Sequence, residues 1–233
     1  MEDIKALLKR FGNIFVQIYG QAEMNSLIST LSKEDHVLDE KDKKYKLLKS
    51  AGKINIGVDV KIVNDKGEEV RVGEVGEIVA KNESLMLGYW NDPELTKEVV
   101  KDGWIYTGDL GYIDEEGYLY IVDRKKDVIK SGGLAVYSKE VEDVILKHPA
   151  VKEVAVIGVP DEIWGEAVKA IVVLKDNVKV SEEEIIEFCK EYLSSYKKPK
   201  SVEFVEALPK NPAGKILKRE LREKYWKGMG RRI

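Results

Sequence analysis

Few residues in this chain could do chemistry, and each stands at a break in the local pattern. Lys215 follows Gly214 in the loop Leu208-Pro209-Lys210-Asn211-Pro212-Ala213-Gly214-Lys215, where an ammonium on a flexible stem is a mobile positive charge. Asp109 follows Gly108. A glycine lets backbone come close, so this carboxylate can accept hydrogen bonds from a bound group, while its plainer reading is an Asx-turn residue before a hairpin. Glu23 lies just past an apolar run, where it offers the oxygen that a hard cation needs or else sits in a solvated turn. Arg124 ends a strand-like run and opens a stretch of charges, and Ser131-Gly132-Gly133 forms a loop soon after. Trp164 lies in another loop, where a half-buried indole is often a structural anchor.

Sulfur and imidazole chemistry have little material. A single cysteine, Cys189, excludes an internal disulfide and any cysteine-rich metal site. It shares a helical face with Ile185, Tyr192 and Leu193 and reads as core. His36 sits among charges with no second ligand at metal spacing and reads as a surface residue. His148 ends a helix before Pro149, where a cation suits the dipole.

The elements that must position these residues change character near the middle of the chain. Residues 3–10 read as a short helix, and Ile14 to Ile18 as a strand that ends at Tyr19-Gly20. Residues 26–49 are polar and lysine-rich and read as a loop with some helix. From Gly52 to Trp90 the pattern is β-rich, with the glycines at 73, 76 and 88 serving turns and close packing. Pro93 to Val100 reads as a helix with Asp92 as its N-cap. Trp104-Ile105-Tyr106 and Tyr118 to Val122 read as strands, with the turn Asp114-Glu115-Glu116-Gly117 between Ile113 and Tyr118. Asp123-Arg124-Lys125-Lys126-Asp127 is then a charged connector at a domain junction. Beyond it helices and strands alternate: helix from Ser138 to His148, strands at Val151–Ile157 and Ala167–Leu174, and a helix from Glu182 to about Ser194 opened by the capping box Ser181-Glu182-Glu183-Glu184.

Composition bounds the partners. Lys and Arg number 39 against 42 Asp and Glu in 233 residues, a net charge of −3, so no global field favours nucleic acid or a membrane surface. The charge is uneven, with twelve basic and four acidic residues from Lys197 onward, a tail that must face anions or water. No apolar run approaches the ~20 residues of a membrane span, and no signal-peptide pattern opens the chain. A cytoplasmic protein is the expectation.

Two linked motifs carry a family resemblance. Tyr106-Thr107-Gly108-Asp109, followed by Asp123-Arg124-Lys125-Lys126-Asp127-Val128-Ile129-Lys130-Ser131-Gly132-Gly133, resembles the nucleotide and hinge region of the adenylate-forming enzymes. These are the AMP-forming acyl-CoA synthetases, the luciferases and the peptide-synthetase adenylation domains. Tyr19-Gly20-Gln21-Ala22-Glu23 resembles that family's Tyr-Gly-x-Thr-Glu, and Pro209 to Lys215 its Pro-x-x-x-x-Gly-Lys loop. The resemblance implies that Tyr19, Gly20, Asp109 and Arg124 bind nucleotide, the last two at the ribose. It implies that Glu23 holds Mg2+ on the ATP phosphates, that Lys126 is the hinge, that Ser131, Gly132, Gly133 and Trp164 face CoA, and that Lys215 is the catalytic lysine. Three positions depart from the pattern: Ala22 stands for the threonine, and Leu134 and Ala135 stand for a Glu-Asn pair.

The implied fold is mixed α+β: a β-rich distorted-barrel remnant of a large domain over 1–123, a hinge at 124–127, and a small mobile α/β domain over 128–233 with a short sheet and packed helices. The implied reaction joins a fatty or related monocarboxylic acid to CoA through an acyl-adenylate, with ATP, Mg2+ and CoA consumed or used. The family's Ser/Thr/Gly-rich phosphate loop and acyl pocket have no counterpart here. The expectation is therefore a truncated portion or one half of a split enzyme, inactive alone, with a missing N-terminal half as partner and self-association through apolar surface. The alternative is a non-catalytic AMP- or CoA-binding or interaction module on the same scaffold. Nucleic-acid binding by the basic tail ranks far below both.

Overall fold

Side chains that alternate in and out dominate the first half of the chain, and they build one large sheet. The computed structural model describes residues 2–24 and 26–229. The chain divides into two units, Met1–Val122 and Asp123–Ile233.

In the first unit the helix α1 (Glu2–Phe11) is followed by β1 (Gln17–Gln21), β2 (Ser26–Leu31), β3 (Gly52–Ile54), β4 (Asp59–Val63) and β5 (Gly76–Lys81). Then come α2 (Pro93–Val99), β6 (Val100–Lys101), β7 (Trp104–Ile113) and β8 (Tyr118–Arg124), whose last two residues begin the second unit. The sheet order is β1-β2-β3-β8-β7-β5-β4, with β6 beside β7. Among the described strands it is open, with β1 and β4 at its ends, and does not close into a barrel. Met24, Ile28, Ala80 and Ile105 form one core cluster, and Ala51, Ile62, Ile78 and Leu119 another. Each large side chain so buried contributes about 1.5–3 kcal/mol. The Asp92 carboxylate accepts from Leu95 N and so caps α2. At Gly76 any Cβ would lie 2.5 Å from the Val63 carbonyl oxygen, so only glycine allows β5 that close to β4.

Three readings of this unit need correction. The first strand runs over Gln17–Gln21 rather than Ile14–Ile18, so Tyr19, Gly20 and Gln21 lie within it. Ile14, Val16 and Ile18 are left exposed. Residues 26–49 are not simply loop and helix: they hold β2, with Ile28, Ser29 and Leu31 fully buried. His36 is only 3% exposed. Its Nδ1 donates to the Ser32 carbonyl at 2.8 Å, while Nε2 has no partner among the described residues.

The second unit holds β9 (Ile129–Ser131), β10 (Leu134–Val136), α3 (Ser138–Ile145), β11 (Val151–Asp161) and β12 (Gly165–Leu174). It continues with α4 (Glu182–Lys190), β13 (Ser201–Phe204) and α5 (Lys218–Trp226). Its sheet order is β10-β9-β12-β11, and β13 runs parallel to β12. Both faces of the central strands are covered, so their runs are nearly continuously apolar. Val154, Val156, Val168 and Val172 pack with Val141 and Ile145 of α3 and Ile185 and Cys189 of α4. Ala155, Ile157, Ile171 and Val173 pack with Leu208 and with Leu221 of α5. The capping box at Ser181 and Glu184 is formed. Burial pushes the Cys189 thiol up to about 11, which makes it an inert core residue. The expected mixed α+β class describes the whole.

Candidate functional site

The first cluster is built by a mismatch between two strands. Along β5 and β7, Glu77 pairs with Leu110 and Val79 with Tyr106. Thr107, Gly108 and Asp109 therefore stand opposite the single residue Ile78, and the surplus length forms a bulge that re-aims side chains. Gly108 takes φ +70° at its crest, a conformation that favours glycine. Thr107 fixes the bulge: its Oγ1 donates to the Ile78 carbonyl at 2.7 Å and accepts from Asp109 N at 3.1 Å. Gly108 N donates to Glu77 Oε1 at 3.2 Å.

Asp109 is 6% exposed. Its Oδ2 accepts from the Tyr19 hydroxyl at 2.8 Å and from Gln21 Nε2 at 3.4 Å, and the same Gln21 amide donates to the Thr107 carbonyl at 2.8 Å. Tyr19 and Gln21 are alternate residues of β1, so they leave the strand on one side. The β1/β2 register also slips between Tyr19 and Gly20. Two irregular strands thus hold a buried carboxylate between a phenol and an amide. A carboxylate so held is an acceptor of fixed direction, a geometry suited to a hydroxyl-bearing ligand.

Glu23 follows in a short 3-10 turn, Ala22–Met24. Its Oε1 accepts from the Tyr89 hydroxyl at 2.8 Å, and its carbonyl accepts from Met86 N at 2.7 Å. Burial, then the hydrogen bond to Glu23, pushes the Tyr89 phenol up to about 12. Among the described residues no group of three or more His, Cys, Asp or Glu gathers to hold a metal. One carboxylate fits a cation that arrives on phosphate oxygens, not a cage built by the protein.

In the second unit Asp123 is the first fixed point. It is 8% exposed, and its carboxylate accepts from Ser138 Oγ at 2.9 Å, from Lys139 N at 3.3 Å and from Arg124 N at 2.8 Å. The helix α3 therefore takes its N-terminal cap from a distant residue, since its own N-cap Tyr137 supplies none. Lys126 is exposed in the 3-10 turn Lys125–Asp127. Arg124 is partly buried at the end of β8.

Ser131, Gly132, Gly133 and Trp164 come together. Ser131 pairs with Gly165, and Gly132 N donates to the Trp164 carbonyl at 2.9 Å. Gly132 has φ +58°, and a Cβ there would lie 2.5 Å from Trp164 Cε3. The indole thus covers the glycine face. Asp161 Oδ1 accepts from Ile163 N and Trp164 N, and Lys200 Nζ lies 4.8 Å from the Trp164 ring centre.

Lys215 is exposed in a closed loop. Leu217 N donates to the Pro209 carbonyl at 2.8 Å, Asn211 N to the Lys215 carbonyl at 2.9 Å, and Lys215 N to Asn211 Oδ1 at 2.8 Å. The lysine backbone is therefore held while its ammonium reaches outward. Much of the basic tail is neutralised inside its own unit: Lys197 pairs with Glu140, Lys200 with Asp161, Lys210 with Glu153, Lys218 with Glu142, and Lys224 with Glu203.

The sequence reading missed Gln21, Tyr89 and Asp123. Asp123 was legible only as one of five consecutive charges. Gln21 sat inside a quoted motif, but its amide acts across the sheet, which no local pattern shows.

Comparison with known proteins places the chain in a family. Residues 1–90 match the AMP-binding enzyme family and residues 140–215 match the AMP-binding enzyme C-terminal domain. The medium/long-chain-fatty-acid–CoA ligase FadD8 of Mycobacterium tuberculosis is 43% identical over 233 residues, covering 97% of this chain and 40% of that protein. ATP-bound MatB from Rhodopseudomonas palustris matches in structure with a TM-score of 0.85 and 34% identity, over 97% of this chain and 43% of that one. The o-succinylbenzoate CoA synthetase MenE of Bacillus subtilis, in complex with the acyl-adenylate OSB-AMP, matches with a TM-score of 0.82 and 38% identity, over 93% of this chain and 42% of that one. The chain spans 40% of the length of FadD8. With both family segments in order along it, the chain belongs to the AMP-binding, adenylate-forming enzymes.

Proposed function

We propose that this chain is a portion of an AMP-forming acyl-CoA ligase acting on fatty or related monocarboxylic acids. The observation that carries this reading is the bulge at Thr107-Gly108-Asp109, which holds a buried carboxylate against Tyr19. The names of relatives such as FadD8 support the fatty-acid class.

In this reading the acid attacks the α-phosphate of ATP and releases pyrophosphate, and the CoA thiol then attacks the acyl-adenylate and releases AMP. Asp109 and Arg124 hold the ribose, with Tyr19 and Gly20 beside the nucleotide. Glu23 would hold Mg2+, which would offset the charge of the ATP phosphates. Lys215 bridges two anions that must meet in the first step, and removing a positioned charge of this kind costs on the order of 10²-fold or more in rate. Rotation at Lys126 separates the two steps, and Ser131, Gly132, Gly133 and Trp164 serve the CoA thiol in the second. Residues 1–123 belong to the large domain and 128–233 to the small mobile one.

No residue assigned here selects the acid or cradles the β- and γ-phosphates, so the chain alone does not complete adenylation. A polypeptide that supplies those residues is its partner in this reading, and the exposed Phe11, Ile14, Val16 and Ile18 support a surface for it or for self-association. No helix among the described residues is long and apolar enough to cross a membrane, and a cytoplasmic location suits substrates of this kind. ATP–pyrophosphate exchange with a fatty acid tests the reading. The purified chain should show none above background, and a measurable rate would overturn the claim that it needs further sequence. A second reading, a non-catalytic AMP- or CoA-binding module, is favoured by Ala22, Leu134 and Ala135, where the family pattern carries functional side chains.

A further inference from the structure

The helix α5 is tied to the segment 123–127 at two depths. Arg222, midway along it, is 3% exposed, and its Nη1 donates to Asp127 Oδ1 at 2.6 Å. One turn earlier Lys218 Nζ donates to Ser138 Oγ at 2.7 Å and pairs with Glu142 at 2.6 Å, and Ser138 in turn holds Asp123. These contacts lie inside the second unit. The same helix roots the loop that carries Lys215. Leu217, the residue before α5, donates to Pro209, and Lys210 bridges to Ile216. Ile216 packs with Leu208 and Leu221 in one apolar cluster.

A guanidinium this deeply buried must keep its partner, because desolvating an unpaired ion costs several kcal/mol. Stability alone does not call for the pair, since apolar side chains of similar volume often serve a core as well or better. What the pair adds is direction. The short contact from Nη1 to Asp127 Oδ1 ties that carboxylate to one point on the helix, and Asp127 is the neighbour of Lys126.

We propose that Arg222 is a positioning residue, which through Asp127 fixes the loop of Lys215 relative to the turn at Lys126. The inference rests on the roles given to Lys126 and Lys215 above. The linkage itself is mechanical and is read without substrate, so its failure is distinguishable from failure of those roles.

The test is hydrogen exchange on the whole chain for the wild type, Arg222→Met, Arg222→Lys and Lys215→Ala. Arg222→Met should speed exchange at Arg124 and, together with it, at Asn211, Gly214, Lys215 and Leu217, by about tenfold or more. The amides of Ala155, Val156 and Ile157 should keep their protection. Arg222→Lys should restore part of the effect, and Lys215→Ala should leave every one of these amides unchanged. Should Arg222→Met fail to fold, Asp127→Asn reads the same linkage from the other side. Loosening of the turn without the loop would overturn the proposal. So would a uniform rise that includes β11, because the pair would then serve the fold alone.

Discussion

Replacing Asp123 by alanine removes one carboxylate and exposes three dependencies at once. The helix α3 loses its cap at Lys139 N, and loss of a capping side chain typically costs ~1 kcal/mol. Ser138, fully buried, loses the acceptor of its hydroxyl, and a buried polar group left unpaired costs about 1–3 kcal/mol. Lys218 donates to the same hydroxyl oxygen, so the chain of contacts from α5 through Ser138 to the connector is cut. The sum for Asp123→Ala is about 2–4 kcal/mol. Asp123→Asn keeps one acceptor oxygen and should lose roughly half as much. The assay is urea unfolding followed by circular dichroism, read as a shift in midpoint at unchanged m. A loss below about 1 kcal/mol for the alanine variant, or equal losses for alanine and asparagine, would refute the view that this carboxylate anchors the connector to α3.

Other expectations follow from single contacts. Gly132→Ala forces a left-handed φ on alanine and drives a Cβ into Trp164, which should destabilise the chain by about 1–3 kcal/mol and release the indole to solvent; an unchanged midpoint in unfolding would contradict it. Burial raises the Glu142 carboxyl above its ordinary 4.5, offset in part by Lys218. The native state therefore holds that proton more tightly than the unfolded chain, so the stabilisation is present below 4.5 and is lost as pH rises through the raised value. Unfolding midpoints against pH should accordingly fall less steeply across that window in Glu142→Gln than in the wild type. The Tyr89 phenol, at about 12, should ionise after ordinary tyrosines in an ultraviolet titration. Glu23→Gln should bring it down, because the charge opposing its ionisation is gone, and an unmoved titration would contradict the contact.

Much of the fold was legible because local rules and tertiary packing agree. The capping box at Ser181, the α2 cap at Asp92, the turn at Asp114 and the apolar strands of the second unit are local signals, and all are present. What stayed hidden depends on partners far along the chain. The β2 strand is rich in serine and threonine, and its burial comes from neighbours at Gly52–Ile54 and Gln17–Gln21. His36 looked exposed because its sequence neighbours are charged, yet a 3-10 turn folds its ring inward onto Ser32. At the site, Asp109 was legible as a carboxylate beside glycine, whereas the bulge that aims it arises from the pairing of β5 with β7. The roles of Asp123 and Arg222 depend on contacts that span 15 and 95 residues.

The central claim is that the first unit presents a nucleotide half-site around Asp109. Calorimetric titration of the purified chain with AMP tests it most directly, beside the Asp109→Ala variant. The account predicts binding by the wild type that is abolished by Asp109→Ala. Binding that survives the substitution, or no binding by the wild type at all, would contradict it.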